Sequence, residues 1–318
     1  MMGPGDDLDT LSNNNDHLGV LRYIRAHELR EPTTVIHHGL ALFGEQLDAT
    51  KVSDDASRAA ALEQICLAAI DISDHELAQR CLNQLQSSSA FASDNKGEES
   101  LVKDSDRYVR LLGRCFEASD DFENAMKVYD TMLKKNPSNL VALQRKYCVL
   151  RAQKESSTES ILEALNEYLG QQLSDVSGWY EMSQLRLSVA DFKGAAYALE
   201  QVVLGSPLDA DIHRELAEVY ATIGGLENTT CARKHMAQAL ELDPTNLRAQ
   251  FGLVNVSQQF LDESNASSTK QKKLDEHERL VAMELVKYGA NEITKAYKGS
   301  KLFASVKRVV DDYTENFE

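Results

Sequence analysis

Three of the five prolines stand at matching places in this chain: Pro137 closes the run KKNP, Pro207 closes LGSP and Pro244 closes ELDP. Behind each, the same offsets are apolar. Ala125, Tyr129 and Met132 lie twelve, eight and five residues before Pro137; Ala195, Leu199 and Val202 hold those places before Pro207, and Ala232, Met236 and Ala239 before Pro244. Proline has no amide hydrogen and clashes with the preceding turn, so each marks the end of a helix whose apolar face recurs every three to four residues. A chain punctuated this way is read as stacked helices.

Upstream of each such helix lies a second apolar stripe: Val109, Leu112, Gly113 and Phe116, then Trp179, Met182 and Ser183, then His213, Leu216, Ala217 and Tyr220. Two short antiparallel helices per unit follow. The third copy is three residues too long, and its surplus falls at GGLEN, Gly224 to Asn228. Here the double glycine is read as ending one helix, with an enlarged turn before Asn228 or Thr229 caps the next. Weaker copies read Leu62, Ile65, Cys66 and Ala69 with Ala78, Leu82 and Leu85, and Leu143, Tyr147 and Leu150 with Ile161, Leu165 and Tyr168.

This pattern resembles the tetratricopeptide repeat, whose period is about 34 residues. Small residues such as Gly113, Ala125, Ala195 and Ala217 let paired helices approach, while bulky ones fill the neighbouring repeat. The expected fold is all-α, a tetratricopeptide-type superhelical solenoid of antiparallel helix pairs spanning 18–318. Its best repeats are 106–139, 176–209 and 210–246, with degenerate copies at 59–90 and 140–175. Residues 1–17 are expected to be a disordered tail, and Ser87–Ser100 and Ser264–Lys273 to be polar loops. Capping helices are expected over 247–314, with Leu274, Val281, Leu285, Tyr288, Ile293, Tyr297, Val306 and Val310 on their apolar faces.

Function classes narrow quickly. With 34 basic against 50 acidic residues the net charge is −16, which disfavours bulk binding to nucleic-acid phosphates. The acidic start lacks the cationic and apolar regions of a secretory signal, Gly3 lacks a myristoylation context, and no run of about 18 apolar residues would span a bilayer. The five cysteines, Cys66, Cys81, Cys115, Cys148 and Cys231, show no C-x-x-C spacing and read as buried thiols of a reducing compartment. His27 and His75 open HEL runs, but Glu31 and Gln79 stand where a zinc motif needs its second histidine. Adjacent His37 and His38 point about 100° apart on a helix. No nucleophile elbow, P-loop or dinucleotide fingerprint occurs, and GGLEN lacks the lysine of a phosphate site. Neither enzymatic activity nor a cofactor or metal is expected. The sequons at Asn228, Asn255 and Asn265 and the basic residues Lys295, Lys298, Lys301, Lys307 and Arg308 are read as solvated surface.

One charge pattern suggests binding. Arg107, Arg110 and Arg114 share a helix face, and they match the second, fifth and ninth positions that line the concave surface of tetratricopeptide proteins. Arg145, Arg151, Arg214 and Arg248 occupy comparable places on later repeats. Two readings stand: a groove for acidic or carbonyl-rich segments, or ordinary solvated arginines paired with nearby Asp and Glu. On the first, reversing charge at Arg110 and Arg114 is expected to release a partner without changing melting.

Longer blocks are more specific. LNEYL (Leu165–Leu169), WYEMSQL (Trp179–Leu185), GGLEN and ARKHMAQALELDPTNLRAQFGL (Ala232–Leu253), preceded by DDFENAMKVYDTMLKKNPSN (Asp120–Asn139), resemble the family of subunit 2 of the endoplasmic reticulum (ER) membrane protein complex over about residues 105–255. The N-terminal hundred residues match poorly. The resemblance implies a non-enzymatic scaffold, peripheral to the ER membrane on its cytosolic side. It would bridge the membrane-spanning and cytosolic subunits of a transmembrane-segment insertase. The alternative is a free co-chaperone adaptor that clamps peptide C-termini, although Arg110 and Arg114 stand where that clamp has Lys and Asn.

Overall fold

The computed structural model describes residues 4–48, 52–86, 105–266 and 276–314, and its helices gather into two compact units, Met1–Ala164 and Leu165–Glu318. In the first unit α1 (Pro4–Asn13), α2 (His17–Ala26) and α3 (Pro32–Phe43) precede α4 (Asp55–Asp71) and α5 (His75–Leu85). The best repeat follows as α6 (Asp106–Ala118) and α7 (Phe122–Lys135), then α8 (Leu140–Ala152). Helix α9 (Thr158–Gln171) contains the boundary between the units. The second unit contains the pairs α10 (Val176–Ser188) with α11 (Phe192–Gly205) and α12 (Ala210–Ile223) with α13 (Leu226–Leu242). Next come α14 (Leu247–Ala266), α15 (Glu276–Ala296) and α16 (Phe303–Thr314). The fold is all-α, of tetratricopeptide-type helix pairs, and no strand occurs among the described residues.

Local chemistry sets the helix starts. Asp16, Asp54, Asp74, Asp121, Asp175, Asp191 and Asp209 each accept a backbone N–H from the first turn of the next helix, as Asn139 does for α8. These caps satisfy donors that a helix end leaves open. Within the pairs, a residue with positive φ stands just before the cap: Ser73 (62°), Asp120 (57°) and Ala190 (59°).

The repeat with GGLEN departs from this pattern, and from the sequence expectation. Gly224 takes the positive-φ place (71°) and Gly225 (85°) is itself the cap, so α13 begins at Leu226 rather than beyond Asn228. The three surplus residues lengthen the helix, to 17 residues against 14 in α11, instead of the turn. Asn228 and Thr229 lie inside its first turns and bond back to Gly224 and Gly225 carbonyls. Glu263 of α14 replaces the missing aspartate, accepting from Gly225 N–H at 3.1 Å and from the Thr229 hydroxyl at 2.9 Å.

The first helix of a pair is buried on two sides. Tyr108, Leu111 and Cys115 of α6 join the core formed by α2 to α5, whereas Val109 and Phe116 pack with Ala125, Tyr129 and Met132 of α7. Gly113 permits that approach: a Cβ there would lie 2.6 Å from the Tyr129 ring.

Other differences are instructive. The expected disordered tail carries α1, whose Leu8 and Leu11 pack on the first-unit core. Helices α2 and α3 fill a stretch to which the repeat pattern assigned nothing, with Val20, Leu21, Ile24, Val35 and Phe43 in the core. At the C-terminal end α14 pairs with α15 and α16 closes on them through Val310. Tyr288, expected on the apolar face, is exposed; Ile293 is buried as expected, and Ala282, Val286 and Ala290 take the other buried places of α15. The loop Ser87–Ser100 and Leu274 lie outside the described residues, as does most of Ser264–Lys273, whose first three residues end α14.

Candidate partner-binding face

Most of the arginines expected to line a groove meet carboxylates on first helices. In the first unit Glu63 of α4, with only 9% of its side chain exposed, accepts Arg107 Nε at 2.5 Å and Arg110 Nη2 at 3.1 Å from α6. Both arginine side chains remain partly open to solvent, at 45% and 40% exposure. They border a cleft of about 490 Å3 between α2, α3, α4 and α6, whose apolar wall includes Ile24, Leu29, Val35 and Leu67.

One helix further, Arg145 of α8 donates to both carboxylate oxygens of Glu117 on α6, which also accepts the Tyr129 hydroxyl. Burial alone would weaken the Arg145 charge, but hydrogen bonds and attraction from Glu117 outweigh it and raise its pKa. Burial and the same carboxylate push Tyr129 up, so its hydroxyl stays a donor. Arg114 is half-buried, with its Nε hydrogen-bonded to nothing among the described residues, and Arg151 is exposed in the last turn of α8.

In the second unit Arg214 of α12 is nearly buried amid Asp211, Glu215 and Glu218. Burial opposes its charge, yet Glu218, Asp211 and Glu215 raise its pKa. Arg248 of α14 reaches back to Glu218 with two nitrogens, each at 2.7 Å. Arg214, Glu218 and Arg248 border a cleft of about 320 Å3 with Leu187 and Phe192.

Each unit thus ties an arginine on one first helix to a carboxylate on the preceding one. Glu63, Glu117 and Glu218 escaped the sequence reading because their distances to the arginines, 44, 28 and 30 residues, depend on loop and second-helix lengths and carry no period. Two imidazole pairs were missed for the same reason: His17 with His38 at 2.9 Å, and His213 with His235 at 3.0 Å. His37 and His38 were expected to be structural or solvated, and His38 is buried against this partner. Of the cysteines, Cys66, Cys81 and Cys115 are buried as expected, while Cys148 and Cys231 are partly exposed.

The arrangement is no bare positive stripe, since five of its seven arginines meet carboxylates. It also changes the expected charge-reversal outcome. A glutamate at position 110 would face Glu63, and one at 114 would bring a carboxylate into a half-buried place, so melting must shift as well.

Comparison with known proteins gives a consistent picture. A model of the EMC2 TPR-like repeat domain family matches residues 101–234. The ER membrane protein complex subunit 2-A of Xenopus laevis is 33% identical over 274 residues, covering 86% of this chain and 83% of that protein. The ER membrane protein complex subunit 2 of Dictyostelium discoideum is 26% identical over 302 residues, 92% of this chain and 86% of that protein. Among solved structures, the C-terminal part of a TPR repeat-containing protein from Cytophaga hutchinsonii aligns with a TM-score of 0.47 at 11% identity, over 95% of this chain and 98% of that one.

Proposed function

Because this chain belongs to the family of ER membrane protein complex subunit 2, we propose that it is a non-enzymatic scaffold of that complex. It sits on the cytosolic side of the ER membrane and joins the membrane-spanning subunits of a transmembrane-segment insertase to another cytosolic subunit. The observation that carries this reading is the 33% identity to the Xenopus laevis subunit across 83% of its length. No helix among the described residues is long and apolar enough to cross a membrane; the proposal puts the spanning segments in the partners.

The helix-to-helix ion pairs support a scaffold physically. They fix neighbouring first helices, and a rigid face costs a partner less ordering entropy when it docks. In this reading Arg107, Arg110 and Arg248, partly open to solvent, meet partner carboxylates or carbonyls, while Arg145 and Arg214 hold the face in place. The free co-chaperone adaptor gains less from the geometry, since Arg110 and Arg114 stand where its clamp has Lys and Asn and the Arg114 Nε is buried.

Affinity purification of the tagged chain from cells, with crosslinking, tests the proposal. Crosslinks from the first-helix faces to membrane-spanning subunits are expected. Recovery of the chain alone, or with soluble chaperones only, would contradict it.

A further inference from the structure

Cys66 of α4 and Cys115 of α6 face each other with their sulfurs 3.8 Å apart. Cys66 is fully buried and also lies 3.7 Å from the Ala78 carbonyl, while Cys115 keeps 8% exposure. Around them stand Cys81 of α5, Tyr108 of α6 and the guanidinium of Arg114, whose buried Nε has no hydrogen-bond partner among the described residues. A buried cationic donor left over beside two thiols is better satisfied when one of them is ionised.

We propose that Cys66 and Cys115 form a peroxide-responsive thiol pair, which closes to a disulfide between α4 and α6. Cys115 reacts first, being the less buried member. The contact with Cys66 lowers its pKa, burial opposes this, and the Arg114 charge helps it. Its thiolate attacks one oxygen of hydrogen peroxide, breaking the O–O bond and releasing hydroxide, and becomes a sulfenic acid. The Cys66 sulfur then attacks the Cys115 sulfur, expelling hydroxide that leaves as water with the Cys66 proton. Two thiols and one hydrogen peroxide thereby give one disulfide and two waters. The sulfurs must close from 3.8 Å to about 2.0 Å.

The bond would fall beside the Glu63 latch, since Glu63 lies one turn before Cys66 and Arg110 five residues before Cys115. Oxidation would hold together the α4 and α6 walls of the 490 Å3 cleft.

The test treats the reduced full-length protein with hydrogen peroxide, blocks remaining thiols with N-ethylmaleimide and maps peptides without reductant. The expected result is a Cys66–Cys115 cross-link in most molecules, with a higher thermal midpoint, both reversed by dithiothreitol. Cys115→Ser should abolish the cross-link and leave Cys66 reduced; because that variant also changes a buried position, the wild-type map alone decides. Free Cys66 and Cys115 after treatment, a bond to Cys81 instead, or oxidation confined to Cys148 and Cys231 would each overturn the proposal.

Discussion

Glu218 of α12 accepts two nitrogens of Arg248 from α14, Nε and Nη2 each at 2.7 Å. The same device recurs where Arg107 and Arg110 meet Glu63 and where Arg145 meets Glu117. Planar two-point contacts fix orientation as well as distance. A repeat stack otherwise held by non-directional apolar packing gains a defined register between first helices. That register would matter to a scaffold that presents a surface to several partners.

Removing the most buried carboxylate of this set should be felt. Glu63→Gln leaves Arg107 and Arg110 facing an uncharged amide, and since both are substantially exposed the loss is expected to be about 1–2 kcal/mol. Urea denaturation of the two proteins checks this, and the difference should shrink in high salt. An unchanged midpoint would mean that the latch contributes nothing to stability.

Glycine at close helix contacts separates rigid from compliant neighbours. At Gly113 a methyl would strike the fully buried Tyr129 ring, which Glu117 holds in place; at Gly252 it would meet the flexible end of Met236. Gly113→Ala is therefore expected to destabilise by about 1–3 kcal/mol, and Gly252→Ala by less. Thermal melting of both variants gives the order, and the reverse order would contradict the account.

Much of this fold could be read from the sequence because its punctuation is local. Proline stops, capping aspartates and apolar stripes are contained within one helix or turn, so α6, α7 and α10 to α13 were legible. Helices α2 and α3 lacked the repeat's signature residues and went unassigned. The GGLEN surplus was located correctly but assigned to the turn, because the glutamate that caps Gly225 lies 38 residues away. The arginines were visible by periodicity on their helices; their partners were not, because contacts between repeats depend on distances no period fixes. Arg114 is the clearest case: its helical position matches Arg107 and Arg110, yet its Nε is buried without a partner among the described residues and its charge acts on Cys115.

Arg233 should prove a fixed point of the second unit. Its side chain is 4% exposed, binds the Glu278 carboxylate and backbone carbonyl, and stacks 4.2 Å above the Phe260 ring. Arg233→Met keeps some packing but loses the charge, the hydrogen bonds and the cation–π contact, for an expected cost of about 2–4 kcal/mol. Hydrogen exchange should quicken first in α15, and unchanged protection there would contradict this role.

Mild acid should weaken the protein through its paired histidines. Burial, then His17 and His37, lower the pKa of His38; burial and then His213 lower that of His235, with Glu200 opposing. The unfolded chain, with histidine near pH 6.5, then binds more protons than the folded one, so stability rises with pH through this window and is lost as pH falls below about 6.5. Thermal midpoints between about pH 5.5 and 7.5 should show this slope, and His235→Gln should flatten it. An equal slope in the variant would exclude His235 as a contributor.

The scaffold reading meets its most direct test in fractionation of cells expressing the full chain. It predicts that the protein sediments with ER membranes, stays there in high salt and is released by alkaline carbonate, as expected of a peripheral subunit held by membrane-spanning partners. Recovery of the whole population as a soluble monomer would contradict it.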